Sequence, residues 1–357
     1  MSRSNERRQT RTGVWYAVGA AILFGVSAPL AKALLNNARP QLFAGLLYLG
    51  SGVGLAIVAI ARRGTRTSSE APLSRPDAPW LATAIFFGGV VGPVLLMIGL
   101  IHTPAASASL LLNLEGVLTA VLAWVVFREN VDRRIALGML AIVTGGLFLS
   151  WQGRAGLGGL AGPVAIAGAC LCWAIDNNLT QKVSGGDPVQ VAMLKGLAAG
   201  SVNVAIAMLL GARFPAPLTT GAALGLGFAS YGISLALFVL ALRHLGSART
   251  GAYFSLAPFV GAAVAIIGWR ERPTMAFVIG TACMAAGVWL HLTERHAHEH
   301  VHEEMEHTHA HVHDEHHQHE HSPGDPPGEP HSHRHRHTRL VHSHAHYPDL
   351  HHRHRHD

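Results

Sequence analysis

Over the first 293 positions, apolar residues fall into runs of roughly twenty, broken by short stretches that carry Arg, Pro and Gly. A helix of that length spans the hydrocarbon core of a bilayer. The pattern predicts ten helices: Val14–Leu35, Gln41–Ala61, Ala78–Ile101, Ala105–Phe127, Arg134–Trp151, Gly159–Lys182, Pro188–Gly211, Thr219–Leu242, Ser247–Trp269 and Thr274–Leu292. The first is too long for the apolar core of a signal peptide and is followed by further spans, so it belongs to the folded chain. After Glu294 the pattern stops. The remainder is low in apolar residues and dense in histidine, and it is expected to be disordered.

One stretch repeats. His102–Glu129 reads HTPAASASLLLNLEGVLTAVLAWVVFRE, and His244–Glu271 reads HLGSARTGAYFSLAPFVGAAVAIIGWRE. Shifting one onto the other by 142 positions (244 minus 102) needs no gap, and Arg128-Glu129 falls on Arg270-Glu271. So long a period means a duplicated fold and not a solenoid. The units are a short N-terminal arm (1–13), a first repeat (14–151), a second repeat (152–293) and the His-rich tail (294–357).

Basic residues set the orientation. With the N-terminus inside, the inner loops hold Arg62, Arg63, Arg66, Arg75, Arg128, Arg133, Arg134, Lys182, Arg243 and Arg249. The outer loops hold only Arg39, Arg154, Arg213, Arg270 and Arg272. Both termini are therefore expected in the cytoplasm, with the chain multi-pass in the inner, or plasma, membrane. An odd number of spans per repeat inverts the second copy relative to the first. The expected fold is an all-α polytopic membrane protein of ten transmembrane helices in two inverted five-helix repeats.

Composition agrees with this. The chain is 49% hydrophobic and only 13% charged, with a mean hydropathy of +0.27; soluble domains carry about twice that charged fraction. The formal charge of +6 comes from loop arginines and does not mark a nucleic-acid surface. Cys170, Cys172 and Cys283 all sit in apolar runs and suit packing, not disulfides. There is no phosphate loop, nucleophile elbow or CxxC pair, so no enzyme is expected.

The paired Arg-Glu endings, the Leu256-Ala257-Pro258 motif and the matched openings Phe24-Gly25 to Lys32 and Trp173-Ala174 to Lys182 resemble the EamA-type permeases of the drug/metabolite transporter superfamily. The resemblance covers about residues 14–293. It implies two inverted halves, a central cavity, alternating access, and a small metabolite or drug as cargo. One departure stands out: Leu114-Glu115-Gly116 replaces the Leu-Ala-Pro of the second copy and puts an acid in mid-span.

Ionisable groups inside a membrane are costly and usually functional. Glu115 is expected to couple protons or bind a substrate amine, against the plainer reading of a neutral structural acid. Asp176 and Asn177 lie in the sixth span, with Lys195 one helix later as a partner for Asp176. Whether that pair is structural or lines a cavity stays open at this point. Lys32 suits snorkelling to a surface or meeting an anionic substrate. Asn113, which aligns with Ser255, and Tyr231 and Tyr253 are further cavity groups, with helix–helix hydrogen bonding as the alternative. His102 and His244 close spans and repeat with the duplication; gating is the minor reading for them.

The tail alternates His with other residues: His296, His298, His300, His302, then His307, His309, His311, His313, then His331, His333, His335, His337. Neutral imidazole suits Zn and Ni. No cofactor is required, but Zn or Ni bound by the tail is expected, and a pH-sensitive polar tail without a site is the alternative. The leading function is a secondary transporter, an exporter of a small polar metabolite or drug, proton-coupled through its mid-span acid. The alternative is a divalent metal (Zn, Ni or Co) transporter fed by the tail; a membrane anchor for a metal buffer is a third. The expected partners are a small-molecule substrate, the lipid bilayer and divalent metal ions, with a homodimer as a further option and nucleic acid excluded.

Overall fold

A computed structural model describes the backbone of residues 3–35, 38–62, 75–127, 133–150, 160–180, 187–293, 297–302, 305–311, 331–337 and 340–345. Its helices are α1 (Arg3–Gly25), α2 (Ser27–Leu35), α3 (Pro40–Arg62), α4 (Ala78–Ala84), α5 (Gly92–His102), α6 (Ala105–Leu111), α7 (Leu114–Phe127), α8 (Arg133–Ser150), α9 (Ala161–Thr180), α10 (Pro188–Leu209), α11 (Pro217–Gly227), α12 (Ser234–Phe254), α13 (Ala257–Trp269) and α14 (Met275–Leu292). Two π-helical segments, Ile85–Val91 and Phe228–Ile233, join α4 to α5 and α11 to α12.

Among the described residues, seven stretches are long and apolar enough to cross a membrane: Arg11–Leu35, Pro40–Ala61, Ala78–His102, Ala105–Val126, Arg133–Ser150, Val189–Leu209 and Pro217–Ala241. The other three expected spans are helical as well, but with less apolar length. Asp176, Asn177 and Asn178 lower the hydropathy of α9. Ala257–Trp269 and Met275–Leu290 are shorter apolar helices.

Proline sets several helix starts. Pro40 and Pro188 open α3 and α10, and Pro217 opens α11. At the first helical position the missing N–H costs nothing, since no intrahelical partner exists there.

Small residues decide which helices meet. Lipid offers no hydrophobic drive for helix pairing, so close backbone approach supplies it through dispersion. A Cβ on Gly45 of α3 would sit 2.8 Å from the Val204 nitrogen of α10, and one on Gly200 would sit 2.5 Å from the Leu49 nitrogen. Gly45 meets Val204 and Gly52 meets Leu197, so the two helices run antiparallel. The α8–α14 pair behaves alike: Gly145 lies against Gly280 and Gly287 against Gly138. Leu96, Met97, Leu100, Leu110, Leu111, Ile166 and Met284 fill the core between helices. Leu209 and Leu218, each 87% exposed, turn outward, as a lipid-facing residue should.

The helix interruptions recur with the repeat. The first π-helical segment begins at Ile85 and the second at Phe228, 143 positions later (228 minus 85). Both copies of the His102 stretch also break in mid-run. α6 ends at Leu111 and α7 begins at Leu114; α12 ends at Phe254 and α13 begins at Ala257.

The described part of the tail holds four short strands. β1 (Ala297–His302) pairs antiparallel with β4 (Leu340–Ala345), and β2 (Met305–His311) with β3 (His331–His337). The physical reason is the period: histidine at every second position matches the two-residue repeat of a strand. The register sets His298 opposite His344 and His300 opposite His342 in one ladder. In the other, His307 faces His335, His309 faces His333 and His311 faces His331. His296 and His313 lie outside the described residues.

Candidate functional site

The polar groups of the helical region gather where α7, α9 and α10 meet the first π-helical segment. Glu115 lies in the first turn of α7, immediately after the break that separates it from α6. Its Oε1 accepts a hydrogen bond from Asn177 Nδ2 at 2.8 Å. Asn177 also reaches Thr119 Oγ1, one turn further along α7, at 3.5 Å. Asn177 is exposed and Gly116 beside Glu115 has open space around it.

The residue before Asn177 on α9, Asp176, is only 6% exposed. Lys195 of α10 donates to both of its oxygens, at 2.6 Å and 2.7 Å. Thr180 donates to Asp176 Oδ1 at 2.8 Å and accepts from Lys195 at 3.2 Å. Each charge is thus paired and its remaining hydrogen-bonding capacity largely filled, which is the condition for burying an ion pair at tolerable cost. The pairing expected from sequence is present. Among the described residues, no ion pair reaches Glu115.

The π-helical segment makes this packing fit. A π turn leaves carbonyls without their usual i+4 partners. The Gly88 carbonyl accepts from Tyr48 at 2.8 Å and from Trp173 Nε1 at 2.9 Å. The Gly89 carbonyl accepts from Asn203 at 3.0 Å. A side chain at position 88 would collide with the Asp176 carboxylate, so glycine is needed there.

An aromatic chain lines the other flank. Tyr48 and Tyr231 lie 5.6 Å apart, Tyr231 and Phe24 5.8 Å, and Phe24 and Phe254 5.3 Å, measured between ring centroids. Tyr231, taken from sequence as a cavity residue, adjoins this centre through Tyr48, whose hydroxyl bonds the Gly88 carbonyl.

The other candidates make contacts of their own. Asn113 is buried and donates to the Leu110 carbonyl at 3.0 Å and to Met284 sulfur at 3.8 Å, a local cap and a helix contact. Tyr253 and Ser255 sit at the α12–α13 break, where the Ser255 N–H bonds the Gly251 carbonyl at 2.9 Å. Lys32 is not central: it donates to the Thr103 carbonyl at the α5–α6 turn. His102 ends α5 and is exposed; the side chain of His244 lies outside the described residues.

Near Lys32, Glu271 does something the sequence did not suggest. Its two oxygens accept the N–H groups of Ala105 and Ala106, at 2.9 Å and 3.0 Å, and so cap α6. These amides have no partner within the helix, and a carboxylate there also meets the positive end of its dipole. Arg270 takes a left-handed conformation, φ +53°, that turns the chain out of α13 into this position. Such a conformation is strained for a residue other than glycine. A cavity of about 660 Å³ opens beside this contact, lined by Pro104, Ser107, Phe148, Arg272 and Phe277 among others.

Sequence reasoning missed Tyr48, Trp173, Asn203 and Thr119. Each lies in an apolar run, where a lone amphipathic residue looks like packing. Among residues with described side chains, no cluster of three or more His, Cys, Asp or Glu is arranged to hold a metal. The tail histidines are placed only by backbone register.

Comparison with known proteins fits this architecture. Residues 11–151 and 160–293 each match the EamA-like transporter family. An uncharacterized transporter of Methanothermobacter thermautotrophicus is 30% identical over 292 residues, spanning 76% of this chain and 84% of that protein. The uncharacterized transporter YvbV of Bacillus subtilis is 27% identical, spanning 81% of this chain and 94% of its own length. A solved crystal structure at 19% identity shares the fold, with a TM-score of 0.58 over 79% of this chain and 95% of that one. A helical membrane protein in which both halves match the same description is a member of that family: the chain belongs to the EamA-like transporter family.

Proposed function

We propose that this protein is a proton-coupled secondary transporter that exports a small polar metabolite or drug by alternating access. In this reading ten helices cross the membrane as two inverted five-helix repeats, with both termini in the cytoplasm and the cargo bound between the halves. The antiparallel pairing of α3 with α10 and of α8 with α14 supports inversion, because each pair joins equivalent helices of the two copies. The recurrence of π segments and mid-helix breaks at matched positions supports a common mechanical frame.

The observation that carries the reading is Glu115. It is an acid in mid-span, unpaired by any described cation and bonded to Asn177 across the α7–α9 contact. Such a carboxyl can take a proton on one side of the membrane and release it on the other. The test is a metabolite screen in inverted membrane vesicles under an imposed pH gradient, read as proton movement on adding each compound. Wild type should move protons with its cargo and Glu115→Gln should not. Equal proton movement in both would refute the coupling role.

The tail supports a second activity, the binding of Zn or Ni. Its carrying observation is the register, which sets histidines opposite one another in both ladders. Directly opposed residues have Cβ atoms about 5 Å apart, within reach of a shared ion. If the tail instead feeds metal to the bundle as cargo, truncation after Glu294 should lower metal flux at limiting concentration. A tail that only collects ions leaves metabolite transport unchanged when removed.

A further inference from the structure

The two ladders of the tail join blocks of opposite charge. β1 and β2 lie before the Pro/Gly-rich stretch at 322–330 and carry Glu299 and Glu306; β3 and β4 lie after it, and β3 carries Arg334 and Arg336. Glu306 stands opposite Arg336, an attractive cross-strand pair. From His302↔Leu340 to Met305↔His337 each strand advances by three residues, so one register runs through both ladders. Successive residues of a strand take opposite faces. In β2·β3, His307, His309, His311, His331, His333 and His335 therefore share one face, and Glu306, Thr308, Arg334 and Arg336 take the other. In β1·β4, His298, His300, His342 and His344 share a face in the same way.

Spacing decides which histidines meet an ion together. Residues two apart on one strand are separated by about 6.8 Å, whereas directly opposed residues have Cβ atoms about 4.5–5.5 Å apart. The nearest neighbour of each paired histidine on its face is therefore on the other strand, in the block of opposite charge. We infer that the metal sites of the tail are shared between the two blocks: Zn is held by His307 and His309 with His333 and His335 in one ladder, and by His298 and His300 with His342 and His344 in the other, so that binding an ion and joining β1–β2 to β3–β4 are one event. This rests on the metal-binding reading of the tail above and gives it a ligand set and a consequence. Four neutral imidazoles fill the tetrahedral shell that Zn prefers. A two-stranded ladder alone is at best marginally stable in water, and pairing His311 with His331 closes the chain between them at an entropic cost. An ion bonded to both strands offsets that cost, because the free energy of binding at a site absent from the open chain is free energy of folding. Chelation within one His-x-His run would leave the two strands independent of each other.

The experiment uses the purified full chain in lipid nanodiscs and zinc sulfate as the probe. Calorimetry reads the stoichiometry of tight binding, and trypsin cleavage after Arg334 and Arg336 of β3 reads the joining of the strands, since cleavage tracks the open population. Wild type should bind about one Zn or more per ladder, and saturating Zn should slow cleavage in β3 by about tenfold or more. Replacing His307, His309 and His311 of β2 by Ala should remove the ions of that ladder and abolish the protection, although every histidine of β3 remains. The matching replacement of His331, His333 and His335 should remove the same ions, and a variant lacking all six should lose no more than either, the non-additivity of groups that share one partner. Chelation by each run separately predicts losses that add, and β3 protection that survives in the β2 variant. Either result overturns the inference while leaving metal binding by the tail intact. No tight Zn binding by the full chain would defeat the inference and the metal-binding reading together.

Discussion

The two halves of the helical region share a backbone and differ in chemistry. Each has a π-helical segment in its third helix, 143 positions apart, and each breaks its fourth helix near the same place, at Leu112-Asn113 in one and Ser255-Leu256 in the other. At that break, the first half carries Glu115 where the second carries Ala257, and Gly116 where it carries Pro258. The Asp176–Lys195 pair of α9 and α10 likewise lies in one half only. By the matched helix openings, Asp176 corresponds to Ser27, and by the offset of α3 and α10, which both begin at proline, Lys195 corresponds to Leu47. In the proposed alternating-access reading, a frame that adopts two mirrored states needs equivalent hinges in both copies, whereas a site for one cargo and one proton needs its charges only once.

Breaking the unique charged pair should have the largest effect on folding. Asp176→Ala strands Lys195 in a buried position and should cost about 3–5 kcal/mol of stability. Replacing both at once, Asp176→Leu with Lys195→Met, should recover much of this. Thermal unfolding in detergent reads both. A single mutant as stable as wild type would mean that the pair does not hold α9 to α10.

Making position 88 like an ordinary helix residue should come next. Gly88→Ala drives a methyl into the Asp176 carboxylate and should cost about 1–3 kcal/mol. The equivalent position by the repeat offset is Ser230, which already carries a side chain. Ser230→Ala should therefore be nearly neutral, and a loss equal to that of Gly88→Ala would remove the contrast between halves.

Removing the carboxylate that caps α6 sharpens the comparison at the bundle's end. Glu271→Ala loses two hydrogen bonds to the amides of Ala105 and Ala106 and should cost about 1–2 kcal/mol. It should also raise thiol labelling of a cysteine placed at Ser107, beside the cavity. Unchanged stability and labelling would show that the contact does not tie α13 to α6.

The smallest effect on the bundle should come from the tail. Deleting residues 296–357 should leave the unfolding temperature of the helical region within about a degree or two, consistent with a change well below 1 kcal/mol. It should remove most bound Zn. In the full chain, Zn binding should hold above pH ~6.5 and weaken as pH falls through it, since imidazole must be neutral to ligate. Calorimetric titration at pH 7.5 and pH 5.5 checks the sign.

Much of the frame was legible in the sequence, because bilayer thickness and backbone satisfaction leave few options. Run length and the 142-position repeat located the helices and the duplication. The Asp176–Lys195 pair was also readable, since an acid and a base on successive spans have strong reason to meet. The partner of Glu115 was not readable: Asn177 lies 62 residues away, and nothing in an apolar pattern says which faces of α7 and α9 adjoin. The π segments were hidden as well. A shift from i+4 to i+5 pairing leaves an all-apolar run looking the same, so Tyr48, Trp173 and Asn203 had no visible carbonyl to serve. Gly88 gave a signal, but only for close packing and not for the carboxylate packed there.

The most direct test of the central claim is proton movement in inverted membrane vesicles under an imposed pH gradient, on adding a compound that the metabolite screen identifies as cargo, comparing wild type, Glu115→Gln and Glu115→Asp. Proton movement should accompany the cargo in wild type, persist at a reduced rate in Glu115→Asp, and vanish in Glu115→Gln although that protein is folded and inserted. Cargo-dependent proton movement by Glu115→Gln at the wild-type rate would contradict the account.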